Sequence, residues 1–378
     1  MVDFNLDETQ RELQGLAAGV LEREAAQERL EAFEKGDFAK GGAAYDAVAW
    51  KALAQSGLLG VVVPEDAGGA GLGAVELAVV LREVGRRVAP VPAYASLALG
   101  ALPIALHGTA RQRELLAPLT EGETVLTGAY REVGPAGTVA ATARRDGDGF
   151  VLDGVKTFVP YAREASVILV PARVEDGSGD EGVGVFLVDP ADVTITSQPS
   201  STGEPLSRIA LDGVRAGPDA LLGEKADGAA WDALRRSAVA GAVALSSGVI
   251  EGALELTKEY IKTREQFGRA LAQFQAVTMQ IGDVYIAKRA LDVALWAGVW
   301  RLAEGAPDTD EVLAVAAYNA CDPVVKALYT CQHLHGGIGL DVTYPLHRYF
   351  AWGRQCAHLL GGADDALDSL GALLPQEA

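Results

Sequence analysis

Lys262-Thr-Arg-Glu-Gln-Phe-Gly-Arg-Ala-Leu-Ala-Gln-Phe-Gln275 is the stretch where an otherwise Ala-rich helical sequence takes on the makings of a ligand site. Its centre is Arg264. A guanidinium carries a rigid fork of donors that fits a pyrophosphate bidentately. An aromatic ring such as Phe267 can lie flat against a heterocycle, and Gly268 lets the backbone turn without a Cβ. In isolation an Arg-x-x-Phe-Gly is better explained as a helix-end arginine paired with Glu259 or Glu265 on the surface.

A second stretch changes the balance: Gln332-His-Leu-His-Gly-Gly-Ile-Gly-Leu-Asp-Val-Thr-Tyr-Pro-Leu-His-Arg-Tyr-Phe350, about one helix pair further on. Arg-x-x-Phe-Gly, then Phe-Gln, then a Gly-Gly-x-Gly turn after a long helix closely resembles the C-terminal domain of the acyl-CoA dehydrogenase family. In that family these elements grip the adenosine and pyrophosphate half of an FAD whose flavin end sits in a neighbouring subunit. The resemblance implies FAD contacts from Arg264, Gln266, Phe267, Phe274, Gln275, Gly336 and Gly337, and from His333, where a Gln is usual. His335 and His347 are expected to serve packing or polar contact.

Composition is consistent with this. The 378 residues, 49% of them apolar, are enough for one large domain or two to three layers. A formal charge of -19 argues against nucleic acid or an anionic membrane as partner and makes any CoA site depend on local Arg and Lys. Three widely spaced cysteines, Cys321, Cys331 and Cys356, suit a reduced compartment. No metal-ligand spacing, basic leader or membrane span is evident, so a soluble cytoplasmic protein is expected.

Read in order, Asp7 and Gln10 form a capping box, with Leu13, Leu16, Ala17, Val20 and Leu21 on one helical stripe behind it. Helices are expected near 46–57, 74–87, 93–106 and 109–120. Val61-Val-Val-Pro-Glu-Asp-Ala-Gly-Gly-Ala-Gly-Leu-Gly-Ala74 offers a rival, because Gly69, Gly71 and Ala74 satisfy a dinucleotide-binding fingerprint. Pro64, Glu65 and Asp66 intervene, however, and put carboxylates where a pyrophosphate would lie. From about 126 the pattern alternates, with a hairpin at Asp146-Gly-Asp-Gly149. Strands are expected at 138–145, 150–159, 166–170, 183–188, 193–196 and 207–211. Long helices return at 229–263, 272–304, 309–334 and 345–360, with Pro345 in a first turn and a short helix last. The expected architecture is α+β: a helical domain over 1–125, a β domain over 126–226 and a C-terminal four-helix bundle over 227–378. Helices, β domain, bundle is also the order of the acyl-CoA dehydrogenases.

The family's chemistry needs a flavin to take hydride from Cβ and a carboxylate to take the proton from Cα, and general-base catalysis contributes roughly a hundred- to ten-thousand-fold. The position that most of the family gives to the base, fifteen after the Tyr-Pro pair, is Leu360 here, followed by Gly361. The alternative position, on the helix before Arg264, is about Ala238. No catalytic residue is therefore assigned. Asp364 and Asp365 are the nearest substitutes, and solvated charges or a helix start is the simpler account of them. Where the family has Thr-Glu-Pro this chain has Arg131-Glu132-Val133, and where it has Trp-Ile-Thr or Trp-Ile-Ser it has Phe158-Val159-Pro160. Pro160 brings neither hydroxyl nor N–H. Glu132 is expected as an exposed loop residue.

The form His-x-His-Gly-Gly-x-Gly-x-Asp-x-x-Tyr-Pro-x-His-Arg-Tyr most resembles the subunits of actinobacterial steroid side-chain (cholesterol catabolism) acyl-CoA dehydrogenases. Those pair two different chains as α2β2, one of which has lost catalytic parts. The resemblance implies a non-base subunit that contributes FAD contacts to a partner chain and works on a bulky acyl-CoA. Two other readings stand beside it. One is a homo-oligomeric flavoenzyme with a relocated base or none, and the other is a flavin-free acyl-CoA-binding or assembly subunit.

Overall fold

The computed structural model describes residues 5–36, 44–134, 137–175 and 182–373. Contacts gather the chain into two units, one made of Met1–Leu30, Ala78–Ala89 and Ala242–Ala378, the other of Glu31–Leu77 and Pro90–Gly241.

Helices α1 (Glu8–Glu24), α2 (Gln27–Glu34), α3 (Ala47–Gln55) and α4 (Ala74–Arg87) come first. The capping box on α1 forms as expected: Asp7 accepts from the Gln10 N–H, and the Gln10 side chain accepts from the Asp7 N–H. The supposed dinucleotide strand does not form. Val61–Val63 lies between two 3-10 turns, Leu58–Gly60 and Glu65–Ala67. Tyr94–Ala101 is a π-helical segment running into α5 (Leu102–His107). Pro103 offers no N–H to the Leu99 carbonyl and its ring crowds that carbonyl, which widens the turn before it. Short helices α6 (Ala110–Arg113) and α7 (Ala117–Thr120) complete this part.

The β region is a seven-stranded sheet in the order β1-β4-β2-β3-β7-β6, with β5 also paired to β4. Its strands are β1 (Val125–Gly128), β2 (Thr142–Asp146), β3 (Gly149–Pro160), β4 (Ala165–Glu175), β5 (Val183–Val188), β6 (Thr194–Gln198) and β7 (Leu206–Ala216). The β2–β3 hairpin closes on Gly147 and Asp148, with Asp146 opposite Gly149. Leu152, Ile168, Val170, Phe186 and Ile209 form the fully buried centre of its core. β1, four buried residues paired parallel to β4, was not called from sequence because a short buried run has no alternation to read.

The helices that follow are α8 (Ala229–Thr263), α9 (Gln275–Ala303), α10 (Thr309–Cys321), α11 (Pro323–His335), α12 (Leu346–Leu359) and α13 (Ala363–Leu373). Sequence reading ran α10 and α11 together. Pro323 separates them, since it lacks an N–H for the helix ladder, and Asp322 before it is distorted to φ -115 and ψ -69. Pro345 stands at the cap of α12, one residue before its first turn. The small residues of α8 do allow close packing: a Cβ on Gly248 would overlap the Arg82 carbonyl, and one on Gly252 would overlap Tyr349 and the Arg86 carbonyl. Beside that contact lies a buried ionic cluster that sequence reading did not foresee. Arg82 reaches Glu251 at 2.8 Å, Lys288 pairs with both Glu251 and Asp292, and Ser247 donates to Asp292 at 2.7 Å. Helix α8 is long and apolar enough to cross a membrane, but 89% of its apolar window is buried, as in a core helix.

Candidate functional site

Between α8 and α9 the chain makes a minimal hairpin. Arg264 donates its N–H to Tyr260 at 2.8 Å and accepts from the Leu271 N–H at 2.9 Å, which closes the base. Glu265–Gln266 then pairs with Arg269–Ala270 across a two-residue turn, Phe267 at φ 52 and Gly268 at φ 75. Two positive φ values in succession define the type I′ turn that matches strand twist. Gly268 adopts this freely, whereas Phe267 is strained, and its ring is 93% exposed. The fold gains no burial from that side chain. Phe274 stands edge-on to Phe267 with centroids 6.4 Å apart and carries the Arg269 guanidinium 4.0 Å from the centre of its ring. Gln266 and Gln275 are exposed, the latter opening α9, whose N-cap receives no side-chain hydrogen bond.

Arg264 is exposed, and among the described residues no carboxylate lies within ion-pair distance of it. Glu259, a partner proposed from sequence, is taken by Lys262 at 2.8 Å. The hairpin therefore presents a free guanidinium beside a solvated ring, the donor set and the stacking surface that an aromatic pyrophosphate ester requires.

Tyr260, one turn before Arg264, ties this hairpin to the second motif. Its ring stacks on His335 at 4.3 Å, and its hydroxyl donates to the His335 carbonyl at 3.3 Å. His335 in turn holds Cys331 and Tyr344. Nδ1 lies 2.8 Å from the Cys331 carbonyl, which can only accept, so Nδ1 carries the proton and Nε2 accepts from the Tyr344 hydroxyl at 3.2 Å. Burial pulls the His335 pKa down, with the Cys331 carbonyl opposing, so the ring is a neutral structural bracket, in line with the role expected for it. Next to it Gly336 adopts φ 63 and ψ -141, a conformation open only to glycine. A Cβ on Gly336 or on Gly337 would meet nothing within 4 Å, so both backbones face open space. Gly339, by contrast, packs against Gln332 and His335. His333 is exposed on α11, and His347 is bound by its Nδ1 to the Tyr344 carbonyl at 2.7 Å.

The β-region positions behave differently. Glu132 is not an exposed loop residue: its side chain is 7% exposed and pairs with Lys156, itself 0% exposed, at 2.5 Å. It also accepts from the Ala140 and Ala141 N–H groups, at 2.7 and 3.1 Å, and so clamps its own loop. Sequence reading missed this because Lys156 sits on an inward position of β3, where alternation predicts an apolar residue. Burial lowers the Lys156 pKa to about 8, with Glu132 opposing. At the end of β3 the pairing with β7 slips between Lys156 and Val159, and Phe158 (φ 54) and Tyr161 (φ 51) take left-handed backbone on either side of Pro160. The Pro160 carbonyl accepts from the Thr127 hydroxyl at 2.7 Å, and the Phe158 N–H donates to the Gln198 side chain at 2.8 Å.

Neither of the two positions expected for a base, Ala238 and Leu360, carries a carboxylate. Ala238 is fully buried, and its carbonyl accepts from the Tyr94 hydroxyl at 3.1 Å. Leu360 is 6% exposed at the end of α12, and Gly361 and Gly362, each at φ 92, break the helix there. Asp364 is exposed in the first turn of α13, a favourable place for an anion at a helix N-terminus. Cys321, Cys331 and Cys356 are free and buried, and among the described residues no group of side chains is placed to hold a metal ion.

Comparison with known proteins gives the family and the fold. Residues 7–123, 134–214 and 234–370 match the models of the acyl-CoA dehydrogenase N-terminal, middle and C-terminal domains. Acyl-CoA dehydrogenase FadE28 of Mycobacterium tuberculosis is 38% identical over 86% of this chain and 92% of its own length. FadE27 of the same organism is 31% identical over 99% of each. Among solved structures, a variant of the Tcur3481–Tcur3483 steroid acyl-CoA dehydrogenase superposes with a TM-score of 0.88 at 41% identity, covering 97% of both chains. The ChsE4–ChsE5 complex of M. tuberculosis gives 0.90 at 30% identity, over 99% of this chain and 100% of that one.

Proposed function

The chain belongs to the acyl-CoA dehydrogenase family, and from that premise we propose that it is the subunit of a hetero-oligomeric FAD-dependent enzyme that reaches into its partner's cofactor site and supplies no base of its own. The observation that carries this is the outward hairpin, with its unpaired Arg264 and its strained, solvated Phe267. Arg264 would bind the pyrophosphate, Phe267 and Phe274 would flank the adenosine half, and Gln266, Gln275 and His333 would donate to it. Gly336 and Gly337 fit the same role, since their backbones leave room for a ligand to approach. Bound FAD would supply the two-electron acceptor for α,β-dehydrogenation of the thioester. Proton removal from Cα would fall to the partner, because Leu360 and Ala238 stand where this chain would need a carboxylate.

The relatives sharpen the partner and the substrate. Two of the similar structures are two-chain assemblies, one of them of a steroid enzyme, which supports a second acyl-CoA dehydrogenase chain; an α2β2 arrangement, a bulky steroid side-chain thioester and a cytoplasmic setting belong to the same proposal. In this reading 1–125 and 126–226 shape the acyl-CoA side and 227–378 carries the trans contacts. The test is to purify the chain alone and with its copurifying partner and to measure flavin absorbance per chain. Flavin is expected only in the mixed assembly. A stable, active assembly of this chain alone with one FAD per chain would overturn the reading.

A further inference from the structure

His107, Thr109, Glu224, Lys225, Asp227 and Ala230 line a cavity of about 320 Å³ where the end of α5 and the starts of α6 and α8 meet. All six belong to the same compact unit. The volume is at the low end of the roughly 300 to 1,000 Å³ of ligand pockets, which limits an occupant to a small molecule. One buried side chain fixes the walls. Gln112 donates to the Asp219 and Leu221 carbonyls at 2.9 and 2.7 Å and accepts from the Thr109 and Gly223 N–H groups, both at 3.0 Å. Its amide is thereby fully engaged, tying the α5–α6 junction to the loop before α8. Gly223 holds left-handed backbone, φ 76, and a Cβ there would come within 2.9 Å of the His107 carbonyl.

The polar groups of the lining are, by contrast, open. Glu224 and Lys225 are adjacent and opposite in charge, yet among the described residues neither has an ion-pair or hydrogen-bond partner. Neither ring nitrogen of His107 is bonded among them either. Burial lowers the His107 pKa, with Asp227 opposing, so the ring is uncharged at neutral pH and can donate or accept. Asp227 is committed to the Ala229 N–H at 3.1 Å. The following N–H, that of Ala230, has no acceptor among the described residues, although Ala230 itself is buried. It opens a helix of 35 residues, whose N-terminal end favours negative charge. Open charges of both signs decide what fits. An anion alone would face the Glu224 and Asp227 carboxylates, and a cation alone would face Lys225 and the start of α8. A molecule that carries both charges meets a partner for each.

We propose that this cavity binds a small zwitterion of the α-amino acid class, its carboxylate on Lys225 and the Ala230 N–H, its ammonium on Glu224, and His107 the remaining polar contact. The test takes the full chain, with any subunit that copurifies, and titrates it calorimetrically with glycine, L-alanine, L-leucine and L-glutamine. At least one of the four is expected to bind and to raise the melting temperature with its concentration. The N-acetyl and the amide derivatives of that amino acid, which lack one charge each, should bind about tenfold or more weakly. Lys225→Gln and Glu224→Gln should weaken binding of the amino acid to the same extent, with the fold intact by circular dichroism because both side chains are exposed. Lys225→Arg should keep most of the affinity, since the charge is retained. No binding of any of the four at up to about 10 mM would overturn the proposal. So would equal binding of the N-acetyl derivative, which describes a plain anion site, or affinity unchanged in both glutamine variants, which places the amino acid elsewhere.

Discussion

Two regions answer to family motifs and have gone opposite ways. Around Glu132, Lys156 and Pro160 the polar groups are turned inward and matched to one another: carboxylate to ammonium and two N–H groups, hydroxyl to carbonyl. Around Arg264, Phe267, Gly336 and Gly337 they are turned outward and left open. A segment kept for its own fold satisfies its groups internally, because an unpaired buried charge is costly. A segment kept for something outside the chain can hold strain and exposure that the fold gains nothing from. On the reading proposed above the contrast separates self-support from service to a partner, so substitutions on either side should have effects of different kinds.

The largest effect is expected at Lys156. Lys156→Met leaves Glu132 buried without its cation and should cost about 3 to 5 kcal/mol by chemical denaturation. The double change Lys156→Met with Glu132→Gln should recover part of it, and a loss under about 1 kcal/mol would show that the pair is not a stability element. Next comes Gly336→Ala. Because a Cβ there meets nothing, only the backbone conformation resists, by about 1 to 3 kcal/mol. Gly337→Ala should leave stability alone and lower FAD affinity in the assembly, and the reverse pattern would erase the distinction between the two glycines. The smallest change is Phe267→Asn. Asparagine tolerates the left-handed turn, so the hairpin should gain about 1 kcal/mol or less while FAD binding weakens. Stability and binding moving in the same direction would count against an outward role for the ring.

Much of this was readable without coordinates. Period and punctuation gave the three-part order of elements, the β2–β3 hairpin and the full length of α8, since a capped periodic segment declares itself locally. The Arg264–Gly268 residues were singled out as a motif by side-chain type, but the hairpin they form was not. What was not readable depends on contacts distant in sequence. Nothing local marks Tyr260 as the bracket between Arg264 and His335, and nothing in a β-strand pattern marks Lys156 as a buried cation. The break at Pro323 was missed because the apolar period continues through it, and the π-helical turn at Tyr94–Ala101 because its widening depends on the Pro103 ring.

The central claim rests on Arg264, and one paired measurement addresses it: the FAD affinity of the assembled complex against the thermal stability of this chain alone, for the native protein, Arg264→Ala and Arg264→Lys. Charge-assisted hydrogen bonds contribute about 1.5 to 3 kcal/mol each, so Arg264→Ala should weaken FAD binding about tenfold or more. Arg264→Lys should restore only part, because the fork is lost, and the melting temperature of the isolated chain should not move, because the guanidinium has no ion-pair partner among the described residues. Loss of stability in step with loss of FAD, or FAD affinity unchanged in Arg264→Ala, would contradict the account.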